Sequence, residues 1–563
     1  MTASLPPFAV FFAGALLVAL APVRLQKVLL LLIPVVAGLQ LAGLTEGHVL
    51  AIQMIGFELV PYRVDRLSLL FGYVFTLAAF ISALFSLHLR DRLQHVSGLV
   101  YAGSALGAVF AGDLISLFVF WELAAISSVF LIWAGRTPDS MGAGWRYLLI
   151  QLLSGLLLLA GVLIRYSETG SLAFSYIGLE GLSGWLIFLA FGIKCAFPLL
   201  HNWLTDAYPA ATPTGSVFLS AFTTKMAVYA LARGFPGTEL LVYIGAVMTC
   251  FPIFYAVIEN DLRRVLGYSM INQLGFMVCG IGIGTSLALN GAVAHAFNDV
   301  IFKGLLFMSM GAVLHMTGKI RATDLGGLYK SMPITTGLCI IGACSISAFP
   351  LFSGFVSKSM VMTAVLQEGH DWIWLALLFA SAGVFHHAGI KIPFFAFFAE
   401  DSGIRTGEPP LNMLLAMALA AILCVAIGSW PVMLYGLLPF PADYSPYTIT
   451  HVLAQMQLLF FSALAFTWLK LSGLYPPEMR AINIDMEWTL RWLGPRATNR
   501  LTQVLSRWHT HRRTDFLRHL GHLFGTLFLY HGPRGILART WATGSMVLWV
   551  VILLGVYLVA YYF

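Results

Sequence analysis

Apolar residues run through this chain in long blocks broken by short polar intervals. Blocks lie near residues 8–24, 27–44, 67–88, 96–112, 113–134, 146–166, 182–200, 215–233, 239–258, 265–284, 288–316, 333–349, 352–366, 372–399, 410–437 and 450–470, and a last one covers 543–563. A helix that crosses the hydrocarbon core needs roughly 20 apolar residues. The pattern therefore predicts an all-α polytopic membrane protein with about 14 to 16 spans, some neighbouring blocks being halves of one broken helix. Apolar and polar positions do not alternate with period two, which argues against a barrel. Connections are short, and no soluble domain is expected before residue 470.

Composition agrees. The 563 residues are 59% hydrophobic and 10% charged, against about 25% charged in soluble domains. The net charge of +7 gathers late in the chain, which suits an anionic lipid surface better than nucleic acid. Residues 471–541 hold Arg480, Arg491, Arg496, Arg500, Arg507, Arg512, Arg513, Arg518, Arg534 and Arg539 among Trp, Leu and Phe. They read as amphipathic helices on or along the membrane, or as a basic surface connector. Pro495 and the Gly532–Pro533 pair are expected to interrupt them, so that no single rod forms. The six cysteines all lie in apolar blocks without a CxxC spacing, so disulfides, zinc and clusters are not expected. No cofactor motif is present. The N-terminus lacks the basic start of a cleaved signal, and its first block is expected to be a retained helix.

Ionisable residues inside the apolar blocks carry the candidate chemistry. Lys194 lies in FLAFGIKCAFPLLHNW, and Pro198 follows four residues later. Proline supplies no N–H and clashes with the carbonyl four residues back, here that of Lys194 itself. A buried amine and an opened backbone thus fall together. Glu122, in AGDLISLFVFWELAAISSVFLIW, is its natural partner, either as a proton-exchanging pair or as a static ion pair. Lys225 has Ser220, Thr223 and Thr224 nearby, and could instead snorkel to the interface. His295, Asp299 and Lys303 recur every four residues and share a helix face. Asp299–Lys303 is readable as a simple helix pair. Lys391, with His386 and His387 before it and Glu400 and Asp401 after it, is an inner site or an interfacial anchor. Lys358 reads as interfacial. Each intramembrane charge costs a few kcal/mol or more. Lysines spread over successive helices suit proton movement better than scaffolding, because burial lowers a lysine's proton affinity and an approaching carboxylate restores it.

A weak internal repeat accompanies these residues. Gly192-Ile193-Lys194 recurs as Gly389-Ile390-Lys391, with Pro198 and Pro393 after the two copies, and residues 118–123 resemble 300–305. It divides the chain into N-terminal helices (1–95), a first half (96–258), a second half (259–470), the basic connector (471–541) and a final helix (542–563).

FVFWEL at 118–123, GIKCAFPLLHNWLTDA at 192–207, TPTGSVFLSAFTTKMAVYALAR at 212–233, NDLRRVLGYSMINQLGF at 260–276, FKGLLF at 302–307 and DLGGLYKSMP at 324–333 resemble the antiporter-like subunits. These occur in respiratory complex I, membrane-bound hydrogenases and Mrp-type multisubunit Na⁺/H⁺ antiporters. GIKIPFFAFF and EPPLNM late in the chain look most like the D subunits of the Mrp type. The resemblance covers about residues 60–435. It implies two inverted repeats, each with a discontinuous helix, and a hydrated polar axis in a multi-pass plasma-membrane protein. It implies that Glu122 and Lys194 form the glutamate–lysine pair. Lys225 and Lys303 match the connecting lysines, Lys391 the distal one, and His295 a family histidine. Asp299 stands where many members carry a second histidine. The function implied is a proton-translocating subunit of a Na⁺/H⁺ antiporter, a secondary transporter rather than an enzyme, working with other membrane subunits, with membrane lipid and without nucleic acid. The alternatives are a proton-pumping subunit of a redox-driven complex and a subunit energising inorganic-carbon uptake.

Overall fold

The computed structural model describes residues 5–54, 56–481, 483–531 and 543–562. It comprises two compact units, Met1–Ile484 and Asp485–Phe563.

The first unit opens with α1 (Pro7–Leu20) and α2 (Val23–Ala42), each started by proline. A two-stranded antiparallel hairpin follows, β1 (Val49–Met54) and β2 (Phe57–Arg63). A reading in spans and short loops does not anticipate it. Gly56, at φ 79°, turns the chain into β2, a backbone region that glycine enters without strain. Asp65 then starts α3 (Arg66–Ser86) through a capping box with Ser68.

The first repeat consists of α4 (Arg92–Phe110), α5 (Leu114–Trp133), α6 (Pro138–Thr169), the interrupted pair α7 (Gly181–Lys194) and α8 (Asn202–Ala210), and the pair α9 (Pro213–Ala221) and α10 (Thr223–Gly234). The second consists of α11 (Glu239–Ile258), α12 (Leu262–Ile283), α13 (Ser286–Thr317), the interrupted pair α14 (Pro333–Ile346) and α15 (Ser353–Gln367), and α16 (Asp371–Val384), which continues through π-helical turns to Phe398. Then come α17 (Leu411–Ser429), the short α18 (Val432–Tyr435) and α19 (Ile449–Leu471). Among the described residues, twelve helices are long and apolar enough to cross a membrane.

Local chemistry fixes the register of the repeat. Asp113 and Asp261 cap α5 and α12, and each enters an isolated antiparallel bridge, with Ala173 and Arg321. Thr137 and Thr285 cap α6 and α13, and both helices end on a left-handed glycine, Gly170 and Gly318. The same interval separates the members of each pair. At the breaks, Ala196 and Leu199 have φ of 60° and 69°, and Ala348 and Leu351 have 58° and 74°. Phe197 N donates to Gly192 O at 3.0 Å, and Phe349 N to Cys344 O at 3.1 Å. The repeated words are therefore Ala-Phe-Pro-Leu at 196–199 and 348–351, not Gly-Ile-Lys. Pro393 breaks no helix, because π-helical turns on either side absorb it. Likewise α5 corresponds to α12, so 118–123 does not pair with 300–305.

Each repeat has an odd number of crossing segments, which inverts the second relative to the first. Connections at one end of the bundle carry Arg90, Arg136, Lys319, Arg321, Lys330, Arg405 and Arg480, while those at the other carry Arg63. The positive-inside rule makes the first end cytoplasmic. There the 399–410 loop is tied down at Asp401, whose carboxyl is held well below the usual carboxylate range by Arg405, Lys330 and the Gly403 N–H.

In the second unit, α20 (Met486–His531) runs through Pro495 as a single helix, and α21 (Thr543–Tyr562) is apolar. The interruption expected at Pro495 does not occur. One missing ladder bond is tolerated in a helix of 46 residues. Gly532, Pro533, Arg534 and Arg539 lie outside the described residues. Residues 471–484 belong to the first unit.

Candidate functional site: a file of buried lysines

Lys194 is the last residue of α7, fully buried at the break. Its ammonium donates to the Trp121 carbonyl at 2.6 Å and lies 4.5 Å from the Trp121 ring centroid. Trp121 is held in turn by Ser154, which its indole N–H reaches at 2.9 Å. The neighbouring Glu122 is half-buried, and its Oε1 has no hydrogen-bond partner among the described residues. Lys194 is thus docked on the carbonyl of the residue before Glu122, while Glu122 Oε1 accepts no hydrogen bond among the described residues. Glu122 fits because α6 offers a glycine there. A Cβ on Gly155 would lie 1.3 Å from Glu122 Oε1. Gly155→Ala is therefore expected to displace the carboxylate and slow transport several-fold at unchanged assembly, measured as proton flux per assembled complex.

Lys225, on α10, is fully buried and does not snorkel. Its Nζ lies 2.6 Å from Asp299 Oδ2 on α13, with Ser220 O at 3.2 Å. Asp299 therefore pairs across the two repeats rather than with Lys303 on its own helix. Two charges with no solvent exposure persist only as a pair. Lys303 instead donates to Ser269 Oγ at 2.8 Å. By the repeat register Lys303 stands where Gly155 stands in the first half, and Met270 where Glu122 stands. The acid on α5 is thus answered by a base on α13.

His295 bridges two helices. Its Nε2 is 3.0 Å from Gln273 Oε1 and its Nδ1 3.0 Å from Ser357 Oγ. Asn298 also donates to Ser357 Oγ, at 3.0 Å. Gln273 Nε2 is engaged by Asn272 Oδ1 at 2.8 Å, so Gln273 presents its oxygen to the histidine. In that arrangement the neutral ring carries its proton on Nε2 and accepts from Ser357.

The fold overturns the interfacial reading of Lys358. This residue is buried on α15, donates to Ile346 O at 3.2 Å and stacks over Phe276 at 5.0 Å. Ile346 occupies the position of Lys194 in the repeat, so each break has one buried ammonium beside it, Lys194 itself in the first and Lys358 in the second. The Ala-Phe-Pro-Leu word is the sequence signal that would have located it. A cavity of about 490 Å³ reaches Lys358 from the non-cytoplasmic ends of α15, α16 and α19, past His451, Gln455 and Thr363.

Lys391 lies apart, at the cytoplasmic end of α16's extension. Val257 O and Glu259 O accept from it at 2.6 and 2.7 Å, and Glu478 Oε1 is 2.8 Å away. Glu400 and Asp401 are its expected neighbours, but Asp401 is engaged by Lys330 and Arg405. Nothing in the sequence singles out Glu478. No cluster of metal-ligating side chains occurs among the described residues.

The family described as NADH:quinone oxidoreductase/Mrp antiporter, transmembrane, matches residues 111–384. The D component of the Na⁺/H⁺ antiporter of Alkalihalophilus pseudofirmus is 30% identical over 358 residues, 59% of this chain and 72% of that protein. The chain belongs to this family. The A component of the Na⁺/H⁺ antiporter from the same organism is 30% identical over 442 residues, 69% of this antiporter-like chain and 54% of its own length, so the chain spans about half of that relative. A chain of the membrane-bound sulfane sulfur reductase, an archaeal respiratory membrane complex, shares the fold with a TM-score of 0.71 at 21% identity, over 98% of this chain and 99% of the other. The matched range contains Glu122, Lys194, Lys225, His295, Asp299, Lys303 and Lys358, but ends before Lys391.

Proposed function

We propose that this antiporter-like chain is the proton-translocating subunit of a multisubunit Na⁺/H⁺ antiporter. The observation that carries the reading is the fully buried Lys225–Asp299 pair joining the two repeats. It lies on a file of buried amines, Lys194, Lys225, Lys303 and Lys358, whose proton affinities respond to an approaching carboxylate. In this reading Glu122 and Lys194 form the switch of the first half. When Glu122 swings to Lys194 it favours the ammonium. When Lys194 docks on the Trp121 carbonyl the pair is open and the proton moves on. Lys225 and Asp299 hand the change in charge to Lys303, His295 and Lys358.

The test is Glu122→Gln. Transport, measured as dissipation of a pH gradient in everted vesicles holding the whole complex, is expected to fall at least about tenfold at normal assembly, while Glu122→Asp keeps part of the rate. Normal transport by abundant Glu122→Gln complex would sink the reading. A second reading, in which a redox partner drives the same axis, draws on the full-length likeness of fold to a respiratory complex. Copurification and identification of the partner chains separates the two.

A further inference from the structure

We propose that Lys391 and Glu478 form a cytoplasmic proton portal of the second half, closed by residues 474–481, together with Asn483, as a strap. The inference rests on the transport reading above.

The segment after α19 does not leave the bundle at once. It is anchored by successive contacts. Tyr475 stacks on His386 at 5.6 Å and packs against Phe466 at 5.2 Å. Glu478 reaches Lys391, Arg480 reaches Asp324 at 2.6 Å, and Asn483 donates to Glu259 Oε2 at 3.0 Å. The strap thus lays a carboxylate on an amine that, among the described residues, pairs with no other acid. The carboxylate of Glu259 is spent on the Asn260 and Asp261 N–H groups and on Asn483.

Exposure is graded along this line. The Lys391 side chain is 0% exposed, that of Glu478 8%, and that of Arg480, two residues on, 67%. A pure anchor would not need an ionisable pair at the dry end of such a gradient, since apolar residues of similar volume in place of a buried pair are often as stable or more so. His387, buried one turn before Lys391, lies on the inner side of the pair. Lys470 lies 5.6 Å from the Tyr475 ring, within the same cluster. The transfer is balanced. The Lys391 ammonium gives its proton to the Glu478 carboxylate, leaving an amine and a carboxylic acid. The acid releases the proton to cytoplasmic water and the carboxylate re-forms. Uptake is the reverse.

The experiment measures transport in everted vesicles of the intact complex carrying Glu478→Asp, Glu478→Gln or Glu478→Ala, with and without added formate as a diffusible weak acid. The rate is expected to fall about tenfold in Glu478→Gln and Glu478→Ala, to stay higher in Glu478→Asp, and to recover in Glu478→Ala with formate, increasingly at lower pH. A wild-type rate in Glu478→Gln, or equal loss in all three without a formate response, makes Glu478 a pin and overturns the portal. Lys194→Ala in the same vesicles keeps the outcomes distinguishable: if it transports normally the transport reading has failed, and if it is blocked while Glu478→Gln is normal only the portal has failed.

Discussion

Lys194→Arg is expected to stop transport almost as completely as Lys194→Ala, with both complexes assembled. Arginine keeps the charge and reaches the Trp121 carbonyl and the Glu122 carboxylate, but its guanidinium effectively never loses a proton in a protein. In the proposed function a lysine on the file loses one at each turnover. If Lys194 only pinned α7 to α5, arginine would serve nearly as well as lysine, and alanine alone would fail. The measurement is proton flux per assembled complex. At least about a tenfold loss is expected for Lys194→Arg, and full activity would leave only the structural role. The same pair of substitutions at Lys358, docked on the Ile346 carbonyl at the second break, is expected to behave alike.

Asp299→Ala should be strongly destabilising. It strands Lys225, which has no solvent exposure and otherwise touches the Ser220 carbonyl. Breaking one side of a buried pair costs about 3–5 kcal/mol, reduced to the extent that Lys225 sheds its proton. The complex should lose thermal stability and yield in detergent. Replacing both partners with apolar residues of similar volume, Asp299→Leu with Lys225→Met, is often neutral for stability. The double variant should therefore assemble yet fail to transport. A double variant that transports would remove this pair from the path.

The architecture is legible in the sequence because lipid demands long apolar helices, and those leave an unmistakable pattern. Glu122, Lys194, Lys225 and Lys303 are legible for the same reason: a charge in such a run is rare and costly. What is not legible depends on which helices meet. Asp299 looks like the helix neighbour of Lys303, and only the packing of α10 on α13 gives it to Lys225. Gly-Ile-Lys repeats by chance, whereas the true repeat is carried by backbone shape at Ala-Phe-Pro-Leu. That shift moves the second break, and with it the significance of Lys358. Glu478 is hidden because it lies in a stretch of ordinary loop composition, and only the return of that loop to α16 gives it a partner. The hairpin at Val49–Arg63 is too short for its alternation to stand out among apolar spans.

The cavity beside Lys358 has an electrical consequence. At about 490 Å³ it is far above the volume one water needs, and its Lys358, His451, Gln455 and Thr363 offer waters partners. Water is a far better dielectric than the surrounding helices, so little of a transmembrane voltage drops along it. The field is then compressed into the dry interval between Lys358 and the cytoplasmic face. A full membrane potential of 100 mV does about 2.3 kcal/mol of work on one elementary charge, and here it would do nearly all of it over the few side chains that end at Lys391. Those side chains are where the voltage sensitivity of the second half should reside.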